Sequence, residues 1–483
     1  MKHCASSICP FAQKHGAPSE FRDDIEVCAD CGGPLTNGPA PAPVAASSAA
    51  AAATHPSPWR ALLVTLAVLA APTVASEIPL PGVDEDRIAR VLGAFFVHPV
   101  ELSPFALGLG PILTAFTIVE LAALAVPTWR PLRHGGLPGR AKLLRATLLL
   151  TLVLAFSQGF THARYLDALD VLTASGLGPT LLVAVTLTAG TFAYVALAHA
   201  ADRWALAGGY SLLAGAVAAN GLYRSGRALV ERILEGATDG VPLVLLGTMA
   251  VVAITGVVLV RRRAPGELRI PSCGIVPVHE AGALIALPLT LGSFGLRGFS
   301  WGSSWSSIQL GAVGVLALLY AYLFNRPAQL APFAGEGIDV TRPLIRAGLR
   351  SAAFVLALAF LPHVLPQGVA RAMPDPLSLV VAVAVILDIA AHWRARRALG
   401  DLVAVRPEHR VYAIDAALDA LDRAGIAGHA RGVHHRVLWQ FFGPFLPIVL
   451  YAPKDRLAEA ERILARVLDG ERRAAGAPYR ASA

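Results

Sequence analysis

Apolar runs near 59–75, 104–127, 143–163, 175–201, 206–221, 241–260, 274–294, 308–324, 351–365 and 377–393 dominate this chain. Several approach the roughly 20 residues an α-helix needs to cross a bilayer. A lipid-exposed backbone must satisfy its own hydrogen bonds, so repeated runs of this length predict spanning helices. The expected fold is an all-α polytopic membrane protein with ten transmembrane helices, of which the run at 206–221 is short. Composition agrees: of 483 residues, 55% are apolar and 15% charged, and mean hydropathy is +0.57.

One region departs from the simple pattern. The first run ends in Ile78-Pro-Leu-Pro-Gly-Val83, a mixed and partly charged stretch follows, and apolar sequence resumes at Ser103-Pro-Phe-Ala-Leu-Gly-Leu-Gly-Pro-Ile-Leu-Thr-Ala-Phe116. A hydrophobic segment broken by Pro and Gly is tolerated in a membrane where it lines a cavity or packs on protein. The region from Glu77 to Ala122 therefore points to a pathway. Leu107-Gly-Leu-Gly110 is not a nucleotide loop, because it sits in an apolar run and no phosphate-binding motif follows.

The chain holds 41 Lys and Arg against 33 Asp and Glu. In a membrane protein this excess reads as topology and headgroup charge. No aromatic residues interleave with the basic ones as a base-stacking surface requires, so nucleic acid is not an expected partner. With an inward amino terminus, the inside loops carry Arg130, Arg133, Arg140 and Lys142, then Arg203, then Arg261, Arg262, Arg263 and Arg269, then Arg326, Arg342, Arg346 and Arg350. Arg394, Arg396 and Arg397 follow the last span. The outside loops hold Arg87, Arg90, Arg164, Arg224, Arg227, Arg232, Arg297 and Arg371. This bias places both termini in the cytoplasm.

The flanks are soluble. Residues 1–33 are polar and Cys-bearing, and 34–58 form a Pro/Ala-rich linker. The run from Trp59 ends in Thr73-Val-Ala75-Ser, small residues like those of a signal-peptide cleavage site. A leader starting behind a cysteine segment would have to export that segment, so the run reads as the first span. The membrane body covers 59–397, a small α+β module 401–470, and a disordered tail 471–483. In the module, Leu402–Val405 reads as a strand. Tyr412–Ala424 reads as an amphipathic helix with Ile414, Ala417, Leu418 and Leu421 on one face, ended by Gly425. Leu446–Tyr451 reads as a buried strand and Arg456–Leu468 as a helix capped by Asp455, an order of β-α-β-β-α. The module resembles small regulatory-type modules with ferredoxin-like halves. His434-His435-Arg436 reads as a solvated turn.

Cys4-x4-Cys9 and Cys28-x2-Cys31 form two short pairs, the second followed by Gly32-Gly33 as in a zinc-knuckle turn. Two such pairs can close a tetrahedral thiolate site around structural zinc and hold together a unit too small for a core of its own. Iron is the rival metal, and disulfides or thiols the rival states. His3 and His15 are spare ligands. No open coordination position is implied, and no nucleophile–His–acid spacing appears, so an enzyme is not expected. The fifth cysteine, Cys273, lies in an apolar run.

Five stretches in order resemble the SecY family, the protein-conducting channel of the secretory pathway. The residues after its first span read IPxPG, and its second span opens with S-x-F-A-L-G-I-x-P-Y-I. Thr188-Ala-Gly-Thr191 through Gly209-Tyr-Ser211-Leu-Leu is similar to the fourth and fifth spans. Ile270-Pro and Cys273-Gly-Ile-Val-Pro277-Val are similar to the seventh, Phe324-Asn325-Arg-Pro327 to the turn after the eighth, and Ser378-Leu-Val-Val with Ile386-Leu-Asp388 to the tenth. The resemblance covers roughly Trp59 to Arg397.

It implies two pseudo-symmetric five-helix halves, a lateral gate between spans two and seven, and a pore ring of apolar side chains that stays dry yet yields to a polypeptide. By alignment the ring falls on Leu109, Leu113, Ala214, Ala218, His279 and Val381, and the plug on 84–101. It further implies a bilayer, a polypeptide substrate and small SecE- or SecG-like subunits as partners. Three departures stand out. The loop between spans six and seven shrinks to Arg261–Arg269, the loop between spans eight and nine is short, and the ring position on span seven holds His279 followed by Glu280. The short loops argue against docking of SecA or a ribosome. Glu120, His279 and Glu280 are intramembrane ionisable residues, which default to function or cavity lining. Asp388 reads as a helix-end residue near the cytoplasmic face. Two functions remain: a divergent SecY-family channel for translocation or membrane insertion, and a non-conducting SecY-like scaffold that recruits soluble partners through its zinc and C-terminal modules.

Overall fold

In a computed structural model, the described residues are 2–4, 20–21, 25–28, 31, 33–37, 58–84, 86–87, 102–129, 132, 136–202, 204–236, 240–261, 277–278, 281, 305–324, 341–364, 376–408, 410–438 and 448–475. Two compact units, Met1–Pro56 and Ser57–Ala483, are described separately.

The larger unit is a helical polytopic membrane body. Its long helices are α1 (Pro58–Ser76), α2 (Gly110–Ala125), α3 (Gly136–Ala168), α4 (Leu177–Ala201), α5 (Gly209–Leu234), α6 (Val241–Arg261), α7 (Trp305–Phe324), α8 (Thr341–Val364) and α9 (Pro376–Leu399). Among the described residues, five of these are long and apolar enough to cross a membrane: α1, most of α3, α4, most of α8, and α9. Shorter apolar stretches lie at Gly110–Ala125, Val241–Gly256 and Ile308–Tyr320. The expected span at 274–294 lies outside the described residues except for Pro277, Val278 and Ala281. The short run at 206–221 continues as helix to Leu234, through the Arg-rich stretch expected to be a loop. Arg227 Nε donates to Glu231 Oε1 at 2.8 Å one turn on, the i,i+4 pairing that supports an exposed helical face.

Small residues set the helix contacts. A side chain at Gly190 of α4 would overlap the Pro104 carbonyl, and one at Gly209 would overlap the Ala198 carbonyl. At Gly159 of α3 a Cβ would lie 2.9 Å from the Ala184 carbonyl of α4. Apolar attraction between helices is weak in lipid, so close backbone approach and dispersion hold them together. Buried hydroxyls bond within their own helices: Thr147 to the Leu143 carbonyl, Thr151 to Thr147, and Thr188 to Ala184.

The same unit continues into β4 (Leu402–Glu408), α10 (Ala413–Arg423), β5 (His429–Arg431), α11 (Val433–Leu438), β6 (Ile448–Pro453) and α12 (Leu457–Ala475). The sheet order is β4-β6-β5, with both pairings antiparallel. The order matches the expected β-α-β-β-α with the short helix α11 added, and α12 passes the expected module end at 470. Gly425 does end α10: its φ is +67°, and the Ile426 N–H returns to the Leu421 carbonyl at 2.9 Å. Val405, Ile448, Leu450 and Ala452 pack against Ile414, Leu421, Ala460 and Leu464 on one sheet face. The other face meets the membrane body, with the Tyr451 ring 4.9 Å from that of His392 on α9.

The smaller unit is a three-stranded antiparallel sheet, ordered Glu20–Phe21, Lys2–Cys4, Leu35–Asn37, which we call β2-β1-β3 by chain order.

Candidate functional site

Ahead of α2, the described parts of the broken segment, 77–84 and 102–109, form turns whose backbone bonds back onto the protein. The Leu80 N–H donates to the Leu102 carbonyl at 3.0 Å, and the Asp84 N–H to the Val171 carbonyl at 2.9 Å. From Ser103 the chain makes successive tight turns, with N–H groups of Ala106, Gly108 and Gly110 bonded to carbonyls three residues earlier. Gly108 takes φ +56° within them. Pro111 then sits in the first turn of α2, where its missing N–H costs nothing. The Phe105 ring lies 4.9 Å from that of Tyr194. The turns rest on Gly190, so the Ser103–Phe116 stretch and Thr188-Ala-Gly-Thr191 meet in space. Polar backbone at membrane depth is thus covered by protein.

Leu109, Ala218 and Val381 are buried in one apolar cluster with Ile112, Phe116, Tyr194 and Leu213, and Leu113 and Ala214 pack against it. Five of the six expected ring positions therefore share one cluster. His279 and Glu280 lie outside the described residues, as does most of the expected plug at 84–101. Their described neighbours Ala281 and Val278 belong to the same cluster or pack on it. Glu120 is buried on α2.

The family model described as SecY matches residues 103–331. The chain is 25% identical over 399 residues to the protein translocase subunit SecY of Pseudomonas aeruginosa, covering 69% of this chain and 89% of that one. It is 24% identical over 401 residues to SecY of Escherichia coli, covering 69% and 90%. The chain is a divergent SecY-like protein. Among solved structures, it is similar to a SecY protein studied for its plug domain and the closed state of its channel, at 14% identity, TM-score 0.47, and 69% and 91% coverage. It is likewise similar to Sec61 of a canine ribosome–channel complex, at 14% identity, TM-score 0.46, and the same coverage.

Two expectations about the SecY-like body's polar residues are corrected. Asp388 is not a helix-end residue, since α9 continues to Leu399, and it is 2% exposed. His434-His435-Arg436 is not a solvated turn but a buried part of α11, with His435 wholly buried. The two meet. Asp388 Oδ1 accepts from the His434 N–H at 2.9 Å and from His434 Nδ1–H at 2.7 Å, and Oδ2 accepts from the His435 N–H at 2.9 Å. His435 Nδ1 lies 2.8 Å from Ser211 Oγ on α5. Burial, and then Arg436, push the His435 imidazole down to about 4, against the opposing pull of Asp388. Nearby, Asp202 Oδ1 accepts from the Gly209 N–H at 2.6 Å at the start of α5. Burial raises the Asp202 carboxyl, opposed by that N–H, Arg431 and His199.

A signal for this contact was present: a carboxylate inside an apolar run needs a partner. His392 lies one turn further along the same helix face, yet the donors that reach Asp388 come from α11.

In the smaller unit, Cys4, Cys28 and Cys31 bring their sulfurs within 4.8 Å of one another. The Cys4 and Cys31 sulfurs are 3.6 Å apart. Thiolates around a tetrahedral metal at about 2.3 Å sit about 3.8 Å from each other, whereas a disulfide needs about 2.05 Å. The Cys28 N–H donates to the Gly33 carbonyl at 2.8 Å, closing the tight loop that carries the second pair. Cys4 and Cys28 are buried. The donor set fits a metal. Cys9 and His15 lie outside the described residues, and His3 is 9% exposed on β1.

Proposed function

We propose that the body is a polypeptide-conducting channel subunit for translocation or membrane insertion, with no chemistry of its own. The observation that carries this reading is the clustering of Leu109, Leu113, Ala214, Ala218 and Val381 beside a broken, protein-covered segment. These side chains form the waist, joined by His279 from the seventh span. A constriction of this kind excludes ions by dewetting and yields to a chain because its contacts are non-directional. Residues 84–101 are the plug, and Glu120, His279 and Glu280 border the gate between the second and seventh spans. The protein sits in a prokaryotic inner membrane with both termini cytoplasmic, partnered by small SecE- or SecG-like subunits.

Cys4, Cys9, Cys28 and Cys31 hold a structural zinc, which supplies no open position and only ties the strands together. One observation favours the scaffold reading. The C-terminal α+β segment is seated on the α4–α5 loop and α9, the end where a soluble motor would engage, and the neighbouring basic loop is short.

Photocrosslinking from position 113 to a stalled secretory nascent chain separates the two. A crosslink that disappears when the client's signal sequence is deleted supports conduction. Correctly inserted protein that crosslinks no client at 113 overturns it in favour of the scaffold.

A further inference from the structure

The short helix α11 touches three parts of the membrane body at once. Asp388 of α9 accepts both backbone N–H groups at its start and the His434 imidazole N–H. Ser211, in the first turn of α5, meets His435. One strand earlier, Arg431 Nη1 donates to the Ala205 carbonyl of the α4–α5 loop at 3.2 Å, with its guanidinium 5.5 Å over the Tyr451 ring. At the far end of α11, Leu438 enters the apolar cluster that holds Leu109, Ala218 and Val381.

These anchor points are close to the waist. Ser211 precedes Ala214 by one turn, about 4.5 Å along α5. Asp388 follows Val381 by two turns, about 10 Å along α9. The two helices are in tight contact between these points, since a Cβ at Gly215 of α5 would lie 2.9 Å from the Val385 side chain of α9. A buried carboxylate with three donors cannot exchange them for water without leaving its site. Separating α5 from α9 therefore requires α11 to let go of one of them.

We propose that α11 is an intramolecular clasp that locks α5 to α9. While it is seated, that seam of the body stays shut, and its withdrawal frees the two helices. The consequence for a waist rests on the channel reading above, whereas the clasp itself does not.

The test is amide hydrogen exchange on the full chain in lipid nanodiscs, comparing wild type with Asp388→Asn and Ser211→Ala. Asp388→Asn keeps the side-chain volume but weakens an acceptor of three bonds. Exchange in 433–438 is expected to rise at least about tenfold, with a concurrent rise at 209–215 and 381–388. Ser211→Ala, a small change that leaves the α9 contact intact, produces a smaller rise in the same segments. A rise confined to 433–438, with α5 and α9 unchanged in both variants, overturns the clasp. Planar-bilayer conductance of the released variant separates the two readings. Current that appears on release supports the clasp and the waist together. Loosened α5 and α9 without current supports the clasp and removes the conducting channel.

Discussion

The cysteine-bearing unit and the C-terminal α+β segment both hold small three-stranded sheets, yet their described residues bury different side chains. Around β1 the buried side chains are Cys4, Cys28 and His3, and no hydrophobic cluster forms there among the described residues. Around β6 the core is Ile414, Leu421, Leu450, Ala460, Leu464 and Leu468, and the second sheet face is covered by α9. The described residues of that first unit bury little apolar surface, the situation in which a small fold draws on a covalent or metal link. The second has a core and a seat on the membrane body. Two sheets of equal strand number thus answer to different perturbations.

Metal removal gives the largest expected difference. Zinc bound by thiolates stabilises such folds by an amount on the order of 10 kcal/mol. Stripping the purified protein with a strong chelator, or making Cys28→Ser, should abolish hydrogen-exchange protection at 2–4 and 35–37. Protection across 402–468 should not change. Elemental analysis should find one zinc per chain before treatment and none after. Equal loss of protection in both regions would remove the contrast between them.

Acidification should act on the other region. Burial holds the His435 imidazole down to about 4, below its ordinary 6.5. Above pH 6.5 the group is neutral whether α11 is seated or released. As pH falls from 6.5 toward 4, the released state takes up a proton that the seated state refuses, so seating weakens through that window and not above it. The size is about 3 kcal/mol at most, about 2.5 pH units at roughly 1.4 kcal/mol each. Exchange of 433–438 measured at pH 7.5 and pH 5 should show the loss, and His435→Asn should flatten the wild-type difference. A pH profile unchanged by that substitution would assign the effect to another group.

The contrast between the two sheets was partly legible in the residues. The Cys28-x2-Cys31 pair followed by Gly32-Gly33 points to clustered sulfurs because thiolate spacing is a local property, and Cys4, Cys28 and Cys31 do meet. Gly425 and the stripe Ile414, Ala417, Leu421 are also local, and α10 ends as read. The broken segment was readable for the same reason, since Pro and Gly mark non-helical backbone wherever they fall. What was not legible is the partner of a polar group across the fold. His434-His435-Arg436 looks polar and turn-like, and nothing within a window around it indicates a carboxylate 46 residues earlier. Gly190 likewise shows its purpose only once the Pro104 carbonyl is seen against it. Asp388 stands out in the sequence, but its place late in the tenth run favours a helix end, because the continuation to Leu399 is charged.

The smallest expected effect sharpens the claim that a core, rather than surface charge, holds the C-terminal sheet. Arg456, just ahead of α12, pairs at 2.7 Å with Glu459 in that helix's first turn, with side chains 39% and 40% exposed, and also reaches the Ala424 carbonyl at 3.4 Å. Exposed pairs of this kind contribute about 0.2–1 kcal/mol and are screened by salt. Arg410 and Glu408 have the same chemistry in a different place. Glu408 is 1% exposed, accepts from the Arg410 N–H at 2.9 Å as well as its guanidinium, and Arg410 also donates to the Leu468 carbonyl at 3.0 Å. Arg410→Ala takes the guanidinium away from a buried carboxylate and leaves it the backbone N–H, at a cost of about 3–5 kcal/mol. Arg456→Ala should therefore shift the exchange free energy of 448–468 by less than about 1 kcal/mol, and the shift should shrink further in 0.5 M salt. A loss for Arg456→Ala as large as that for Arg410→Ala would mean that the rim of this sheet is as tightly determined as its core.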